Sequence, residues 1–222
     1  MLASPTSDPS PCRVLLASGS PRRHELIRWL NLPVQIAVPR VDEKTRPGED
    51  PAAYVARVAR AKALALTAQA ADDDIILAAD TVVVDRGRIL GKPHSPEHAE
   101  DMLHTLQGRA HHVLTGFALQ WPARGREHVD VVSTTVVMRA LTHDEIRAYV
   151  ASRDPLDKAG AYAVQNQTFR PVAHVEGCFA NVVGLPLCAV ARVLMRWGCP
   201  PIRGLVPRCA RAFGYNCAIG IP

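Results

Sequence analysis

The chain has 222 residues, of which 48% are hydrophobic and 21% are charged, a composition typical of a soluble globular protein with a substantial core. The formal net charge of +5 comes without a run of Lys and Arg or interleaved aromatic residues, so we expect no nucleic-acid surface. No apolar stretch approaches the ~20 residues needed to cross a bilayer, and no charged segment precedes a signal-like apolar one. These features predict a cytoplasmic protein that makes no membrane contact.

Cysteine and histidine spacing gives no sign of a covalent or metal framework. The six cysteines form no Cys-X-X-Cys pair, and the nine histidines show no ligand spacing. Without a secretory signal, we expect the cysteines to be reduced.

The first predicted elements are a strand and a helix joined by a Gly/Ser turn. Pro and Ser dominate residues 1–11, which we expect to be disordered. Residues 13–17 are apolar and predict a short strand. Ser20 is a natural N-cap for the helix that follows, and Pro21 suits its first position.

This strand, turn and helix N-terminus suit a phosphate group. Ser18 and Ser20 offer hydroxyls, and Arg22 and Arg23 lie in the first helical turn. Free backbone N–H groups and the positive end of the helix dipole favour an anion there, whereas cations alone are slightly unfavourable at that end. The alternative is an ordinary capped helix with solvated arginines.

A second strand is predicted near residues 31–39, and a helix begins at Pro51 and continues to about residue 70. On that helix Lys62 lies only ~20° around the axis from Val55, within the apolar stripe. A lysine on the core side either extends its ammonium to solvent or neutralises a buried negative charge. Glu43 lies in the segment before the helix.

The central hairpin places an acid inside an apolar strand. Residues 75–84 are apolar on both faces, which predicts a strand buried on both sides, and Asp80 lies in its middle. Residues 85–87 read Asp-Arg-Gly, a hairpin turn, and the returning strand leads to Lys92. A buried carboxylate must be paired, hydrogen-bonded or bound to a metal. The alternative is a structural acid that caps neighbouring backbone.

Strands and helices alternate in the first half of the chain and hairpins follow, which predicts an α/β fold with a mixed twisted sheet and flanking helices. Neither a Gly-X-Gly-X-X-Gly nor a P-loop motif is present. The remaining predicted elements are a helix at 96–107, paired strands at 109–120 and 128–140, a helix at 143–152, a strand within 157–165, a strand at 172–176, a loop at 177–184, a helix at 186–198 and a weakly ordered tail at 199–222.

These segments together resemble the Maf family of nucleoside triphosphate pyrophosphatases, once described as septum-formation inhibitors. The resemblance covers residues 13–198 in family order and leaves the tail outside. It rests on Leu-Ala-Ser-Gly-Ser-Pro-Arg-Arg at 16–23, Val-Asp-Glu at 41–43, Ala-Arg-Ala-Lys-Ala at 59–63, Ala-Asp-Thr-Val-Val at 79–83, Gly-Lys-Pro at 91–93, Leu-Gln-Gly-Arg at 106–109, Asp-Lys-Ala-Gly-Ala-Tyr-Ala-Val-Gln at 157–165 and Asn-Val-Val-Gly-Leu-Pro at 181–186.

The resemblance implies two lobes around a cleft, as in inosine triphosphate pyrophosphatases. It implies hydrolysis between the α- and β-phosphates to a nucleoside monophosphate and pyrophosphate, with a divalent cation (Mg²⁺ or Mn²⁺), in a homodimer. Two departures stand out: Ala61 replaces a usual glutamate, and the late Gly-Asp-Tyr-Ser-Asn loop reads Gly-Cys-Phe-Ala-Asn at 177–181. The loop change puts the contacts of that loop in question.

The resemblance and the residue chemistry predict one set of site residues. Asp80 and Glu43 are the expected metal ligands and water activators, and which acid does which stays open. The cations around the triphosphate are Arg22, Arg23, Lys62 and Lys92, and the substrate contacts add Ser18, Ser20, Thr81 and Gln165. The rival functions are a non-catalytic nucleotide-binding regulator of septum formation and a phosphatase that releases inorganic phosphate.

The base preference is also predicted from the resemblance. One subfamily carries Ser-Pro-Arg-Arg, Asp-Thr and a later glutamine, which Arg22, Thr81 and Gln165 match here. The amide of Gln165 offers a donor and an acceptor to the imide edge of thymine or uracil. We therefore expect dTTP and UTP as substrates, and the alternative is the subfamily that acts on 7-methyl-GTP.

Overall fold

The computed structural model describes residues 12–200 and 202–214, and the predicted disorder of residues 1–11 lies outside this range. Seven strands form one sheet in the order β2-β1-β3-β5-β6-β7, with β4 paired to β3. The strands are β1 Arg13–Ala17, β2 Val34–Ala37, β3 Asp74–Asp85, β4 Arg88–Leu90, β5 Ala110–Trp121, β6 Arg126–Met138 and β7 Val172–Glu176. The helices are α1 Pro21–Ile27, α2 Pro51–Leu64, α3 Pro96–Leu106, α4 His143–Ala151, α5 Phe179–Val183, α6 Leu187–Arg196 and α7 Leu205–Phe213.

The sheet is mixed, as predicted. Strands β1, β2 and β3 are parallel, whereas β3, β5, β6 and β7 form antiparallel neighbours. Helix α2 packs against one face of the sheet, and the other α-helices pack into the core on the opposite face. No helix in the described ranges is long and apolar enough to span a membrane.

Strand β3 is the centre of the molecule, and its period of two explains why both faces are buried. Ile76 and Ala78 point toward α2, while Ile75 and Leu77 point into the core on the other face. Asp80 belongs to the α2 side and is 7% exposed. The predicted hairpin is confirmed, because β4 pairs antiparallel with the end of β3.

Helix α2 begins where the sequence predicts and ends earlier. The Asp50 side chain accepts hydrogen bonds from the backbone N–H groups of Ala52 and Ala53, which caps the helix. The helix ends at Leu64 and not near residue 70, and residues 67–69 form a separate 3₁₀ turn. Lys62 faces the sheet from its last turn and is 8% exposed.

Gly116 on β5 lets α2 lie directly on the sheet. An added Cβ would stand 2.4 Å from the carbonyl carbon and oxygen of Val55, closer than two atoms can approach. Because the obstacle is helix backbone, a rotamer change cannot relieve it.

We therefore expect Gly116→Ala to lower the free energy of unfolding by about 1–3 kcal/mol or more, the range for overpacked cores. The measurement is urea unfolding of the purified variant. Gly91→Ala is the control, since nothing lies within 4 Å of its added Cβ. Equal stability of the two variants would contradict the close helix approach.

Three segments differ from the sequence predictions. The strand predicted within 157–165 is wrong: the chain forms 3₁₀ turns at Asp154–Asp157 and Ala159–Ala161, with φ of +70° at Gly160. The loop predicted at 177–184 contains the short helix α5, which is too short to reveal a helical period.

The tail predicted to be weakly ordered forms α7 through residue 213, while residues 215–222 lie outside the described ranges. Phe213 packs on Trp29 and stacks on Phe179, with ring centroids 5.4 and 4.4 Å apart. Helix α7 is therefore packed against the core beside Trp29 and α5.

The prediction of reduced cysteines is wrong for one pair. Cys12 and Cys199 form a disulfide with Cα atoms 5.6 Å apart, and 187 positions separate them in the sequence. The pairing follows from the fold, which brings the start of β1 beside the segment after α6. Cys178, Cys188 and Cys209 are buried.

Candidate active site

A cleft of about 1080 Å³ contains most of the residues that the sequence singled out. It is lined by residues from both halves of the chain. Every predicted site residue contributes to its walls, namely Ser18, Ser20, Arg22, Arg23, Glu43, Lys62, Asp80, Thr81, Lys92 and Gln165.

The floor of the cleft holds two carboxylates on one ammonium group. Lys62 Nζ lies 2.8 Å from Asp80 Oδ1 and 3.0 Å from Glu43 Oε2. The side chains of Lys62 and Asp80 are each 10% exposed, whereas that of Glu43 is 53% exposed. Of the two predicted fates of Lys62, the structure shows the second, because its ammonium neutralises a buried acid.

Asp80 differs from the two other acids on the same strand. Asp74 and Asp85 are also buried, and each pairs with an arginine, Arg13 and Arg109 respectively. Neither of these acids lines the cleft. Asp80 is thus the acid of β3 that a ligand in the cleft can reach.

The turn before α1 lines the cleft, and Ser20 does not cap the helix as the sequence predicts. Ser20 occupies the N-cap position, but its side chain makes no capping hydrogen bond. Ser18 Oγ instead accepts a hydrogen bond from the Ser20 N–H at 3.1 Å, and the ring of His24 contacts the Ser18 carbonyl at 2.7 Å. Residues 18–23 all line the cleft.

Arg23 is held rigidly at the cleft wall. Its Nε donates to the Gly184 carbonyl at 2.8 Å, and its Nη2 donates to Thr81 Oγ1 at 3.0 Å. Desolvation lowers the pKa of Arg23, and the nearby charge of Asp80 opposes that shift. The guanidinium keeps its charge, since an arginine stays protonated in proteins.

A buried polar chain lies behind Arg23. The hydroxyls of Thr81 and Thr115 are 2.9 Å apart, and Thr115 donates to the Asn181 carbonyl at 3.0 Å. The Asn181 amide in turn donates to Thr134 Oγ1 at 3.0 Å. Asn181 belongs to one of the family motifs, but the sequence did not predict a role for it. Thr115 could not be predicted as a site residue, since it is only a polar residue within an apolar strand.

Lys92 and Gln165 come from two further segments of the cleft wall, and both are exposed. The two segments are joined, because the Gly160 N–H donates to the Gly91 carbonyl at 3.0 Å. Lys158 also lines the cleft and forms an ion pair with Asp157 at 2.6 Å. We missed Lys158 as a candidate, although it lies in a segment that the sequence singled out.

The donors in the cleft suit a hard divalent cation. Asp80 and Glu43 supply carboxylate oxygens, and Mg²⁺ is commonly held by one or two carboxylates together with water and substrate phosphates. Within residues 12–200 and 202–214, no group of three or more His, Cys, Asp and Glu side chains could hold a metal by itself. A metal here would depend on the substrate for part of its coordination shell.

Comparison with known proteins identifies the family. Residues 13–197 match the family described as Maf-like protein. This chain belongs to that family. A dTTP/UTP pyrophosphatase of Moorella thermoacetica is 48% identical over 186 residues, covering 84% of this chain and 95% of that protein. A dTTP/UTP pyrophosphatase of Photorhabdus laumondii is 43% identical over 182 residues, covering 82% and 92%.

A solved structure of a nucleoside-triphosphatase, also described as a dITP/XTP pyrophosphatase, from Mycobacterium abscessus aligns with 58% of this chain and 75% of its own. The TM-score is 0.38 and the identity 18%. The family assignment therefore comes from the sequence matches.

Proposed function

We propose that this protein hydrolyses nucleoside triphosphates, dTTP and UTP foremost, to the nucleoside monophosphate and pyrophosphate. The observation that carries the proposal is the cluster of Asp80, Glu43 and Lys62 on the floor of a cleft that Arg23 also lines. Family relatives named dTTP/UTP pyrophosphatase support it. A protein that only binds nucleotides would not need a buried acid beside a polyanion, which disfavours the regulator.

The cations position the triphosphate and stabilise its charge. Arg22 and Arg23 lie in the first turn of α1 and line the cleft, and the N-terminus of a helix favours an anion. Lys62 and Lys92 add charge from the floor and the rim. Thr81 lines the cleft beside them, and its hydroxyl also accepts a hydrogen bond from the Arg23 guanidinium.

The two acids serve the attacking water. The water oxygen forms a bond to the α-phosphorus, the bond from that phosphorus to the bridging oxygen breaks, and pyrophosphate leaves. Asp80 and Glu43 divide two tasks, holding a divalent cation and accepting the proton of the water. The cation, when bound, screens phosphate charge and makes a water molecule more acidic.

The product test is hydrolysis of dTTP with Mg²⁺ in ¹⁸O-labelled water, with the products resolved by ³¹P NMR and mass spectrometry. The proposal requires pyrophosphate together with label in the thymidine monophosphate, which identifies attack at the α-phosphorus. Release of inorganic phosphate would establish a phosphatase, and absence of turnover would leave the nucleotide-binding regulator.

We expect the value of kcat/KM for dTTP and UTP to exceed that for GTP and 7-methyl-GTP by at least about tenfold, because a site that hydrogen-bonds one base edge leaves polar groups unpaired with another. Gln165→Glu should reduce this preference, since the carboxylate loses the amide donor. Gln167→Glu is the control, because Gln167 is exposed and does not line the cleft. A preference for 7-methyl-GTP would contradict the assignment.

The cellular setting is part of the same proposal. An enzyme of nucleotide pools works in the cytoplasm, and the family resemblance implies a homodimer. Light scattering on the purified protein measures the oligomeric state, and a monomer at micromolar concentration would contradict the homodimer.

A further inference from the structure

The segment that carries Glu43 has little structure of its own. Between β2 and α2 the chain forms neither helix nor strand, and most of residues 40–48 are exposed. The side chain of Glu43 is itself 53% exposed and meets Lys62 at 3.0 Å. A carboxylate on such a segment needs a backbone anchor if it is to stay beside Asp80.

Helix α2 provides that anchor. Tyr54 donates its hydroxyl to the Glu43 carbonyl at 2.8 Å. One turn further along the helix, Arg57 Nη2 donates to the Lys44 carbonyl at 3.0 Å, and two further bonds of 2.6 and 2.7 Å join Arg57 to the Glu49 carboxylate. Arg57 lowers the pKa of Glu49 to about 2.

The anchor and the ammonium both face the sheet, because Tyr54 packs with Val82 and Val84 of β3 and Lys62 pairs with Asp80 of the same strand. Tyr54 and Lys62 are eight residues apart, which places them about 12 Å apart along the helix axis and about 80° apart around it. The helix therefore fixes the Glu43 backbone from its first turns and the Glu43 carboxylate from its last turn. One helix thus sets both the distance from Tyr54 to the Glu43 carbonyl and the distance from Lys62 to the Glu43 carboxylate.

Tyr54 is well suited to this task. Its ring is 7% exposed and packs with Val55, Val58, Val82 and Val84, so its position is set by the core. Burial, with smaller contributions from the charges of Asp80 and Glu43, raises the pKa of Tyr54 to about 12, so the hydroxyl remains a donor at neutral pH.

We infer that Tyr54 is a positioning residue that holds the Glu43 carboxylate beside Lys62 and Asp80, and that Arg57 with Glu49 supports it. The inference rests on the proposed function, because the position of Glu43 matters for catalysis only if the protein hydrolyses nucleoside triphosphates. Tyr54 does not contact the reacting atoms in this account. It acts through the backbone on Glu43, one of the two acids that divide metal binding and proton acceptance.

The test is a double-mutant cycle on binding. The Kd of Mn²⁺ is measured by electron paramagnetic resonance in the presence of α,β-methylene-dTTP, for the wild type, Tyr54→Phe, Glu43→Gln and the double variant. We expect Tyr54→Phe to raise the Kd about three- to tenfold and to add little in the Glu43→Gln background, because coupled residues are not additive. Fully multiplicative effects, or an unchanged Kd in Tyr54→Phe, would overturn the inference.

Kinetics separate positioning from general damage. Tyr54→Phe removes one oxygen and keeps the packed ring, so the melting temperature should change little. We expect kcat to fall about tenfold while the KM for dTTP stays within about twofold, since the phosphate-binding cations are untouched. Positioning would be contradicted if the melting temperature of Tyr54→Phe fell so far that unfolding at the assay temperature explained the lower kcat. A change confined to KM would contradict it as well.

Ser152→Ala is the matched control, because Ser152 also donates its hydroxyl to a backbone carbonyl, that of Tyr149, at 2.6 Å, but outside the cleft. It should leave Kd and kcat unchanged. If the wild type releases no pyrophosphate, the proposed function fails. If the wild type does release pyrophosphate but the effects of Tyr54→Phe and Glu43→Gln on the Kd multiply, only the positioning role of Tyr54 fails and the proposed function stands.

Discussion

Asp80→Asn is expected to lower kcat by about 10³-fold or more while the protein stays folded. The substitution keeps the size and hydrogen-bonding shape of the side chain but removes the charge that would hold a cation or accept a proton. General base catalysis alone contributes about 10²–10⁴-fold, and loss of a metal ligand adds to it. The measurement is pyrophosphate release from dTTP at saturating Mg²⁺.

The same strand offers a matched control in Asp74→Asn. Asp74 is 1% exposed and pairs with Arg13 at 2.5 Å, but it does not line the cleft. Arg13 lowers the pKa of Asp74, so this pair stabilises the fold at neutral pH. Asp74→Asn should therefore lower the melting temperature and preserve kcat. If Asp80→Asn retained most of its turnover in Mg²⁺, the assignment of the site would be wrong.

Local patterns were sufficient to predict the elements that build the floor of the cleft. The period of two along β3 placed Asp80 on a buried strand, and the helical period placed Lys62 on the core side of α2. Both inferences depend on residues within a few positions of each other, where backbone geometry alone fixes the direction of a side chain. The same holds for the predicted helix at 143–152, which α4 confirms and which begins with a capping box of Thr142 and Glu145.

Contacts between distant segments were not predictable in this way. The pair of Cys12 and Cys199 and the packing of Phe213 on Trp29 depend on how the chain ends meet in the fold. The apolar residues of α7 are too few to identify a helix without the surface that they cover. The family resemblance did not extend to this segment.

The residues that hold the cleft residues in place could not be predicted from the sequence either. Tyr54 is a tyrosine on an apolar helix stripe, and nothing in its spacing indicates that its hydroxyl reaches the carbonyl of Glu43. Asn181 lies in a helix of five residues, too short for a pattern. The family motifs identified residues that face the cleft, whereas the residues behind them emerged only from the three-dimensional contacts.

Lysine substitutions should rank by position in the cleft. Lys62 is buried between two acids, Lys92 lies exposed at the rim, and Lys44 is exposed and does not line the cleft. We expect Lys62→Ala to lower kcat/KM by about 10²–10³-fold, the loss that removal of one preorganised charge donor causes. Lys92→Ala should also lower kcat/KM, mainly through KM, and Lys44→Ala should have little effect.

The large effect at Lys62 has two physical sources. Its removal takes away a positive charge near the phosphates, and it leaves Asp80 and Glu43 without the ammonium that neutralises them. A polyanion then approaches a floor that is more negative by one charge, which weakens binding as well as turnover. Lys62→Met keeps most of the packing volume, so it separates the charge effect from a cavity in the core. Steady-state kinetics on the four variants decides the ranking. Equal and mild effects at Lys62, Lys92 and Lys44 would mean that none of these lysines stabilises the bound triphosphate. A loss at Lys62 that Met reproduces would locate the effect in the ammonium group.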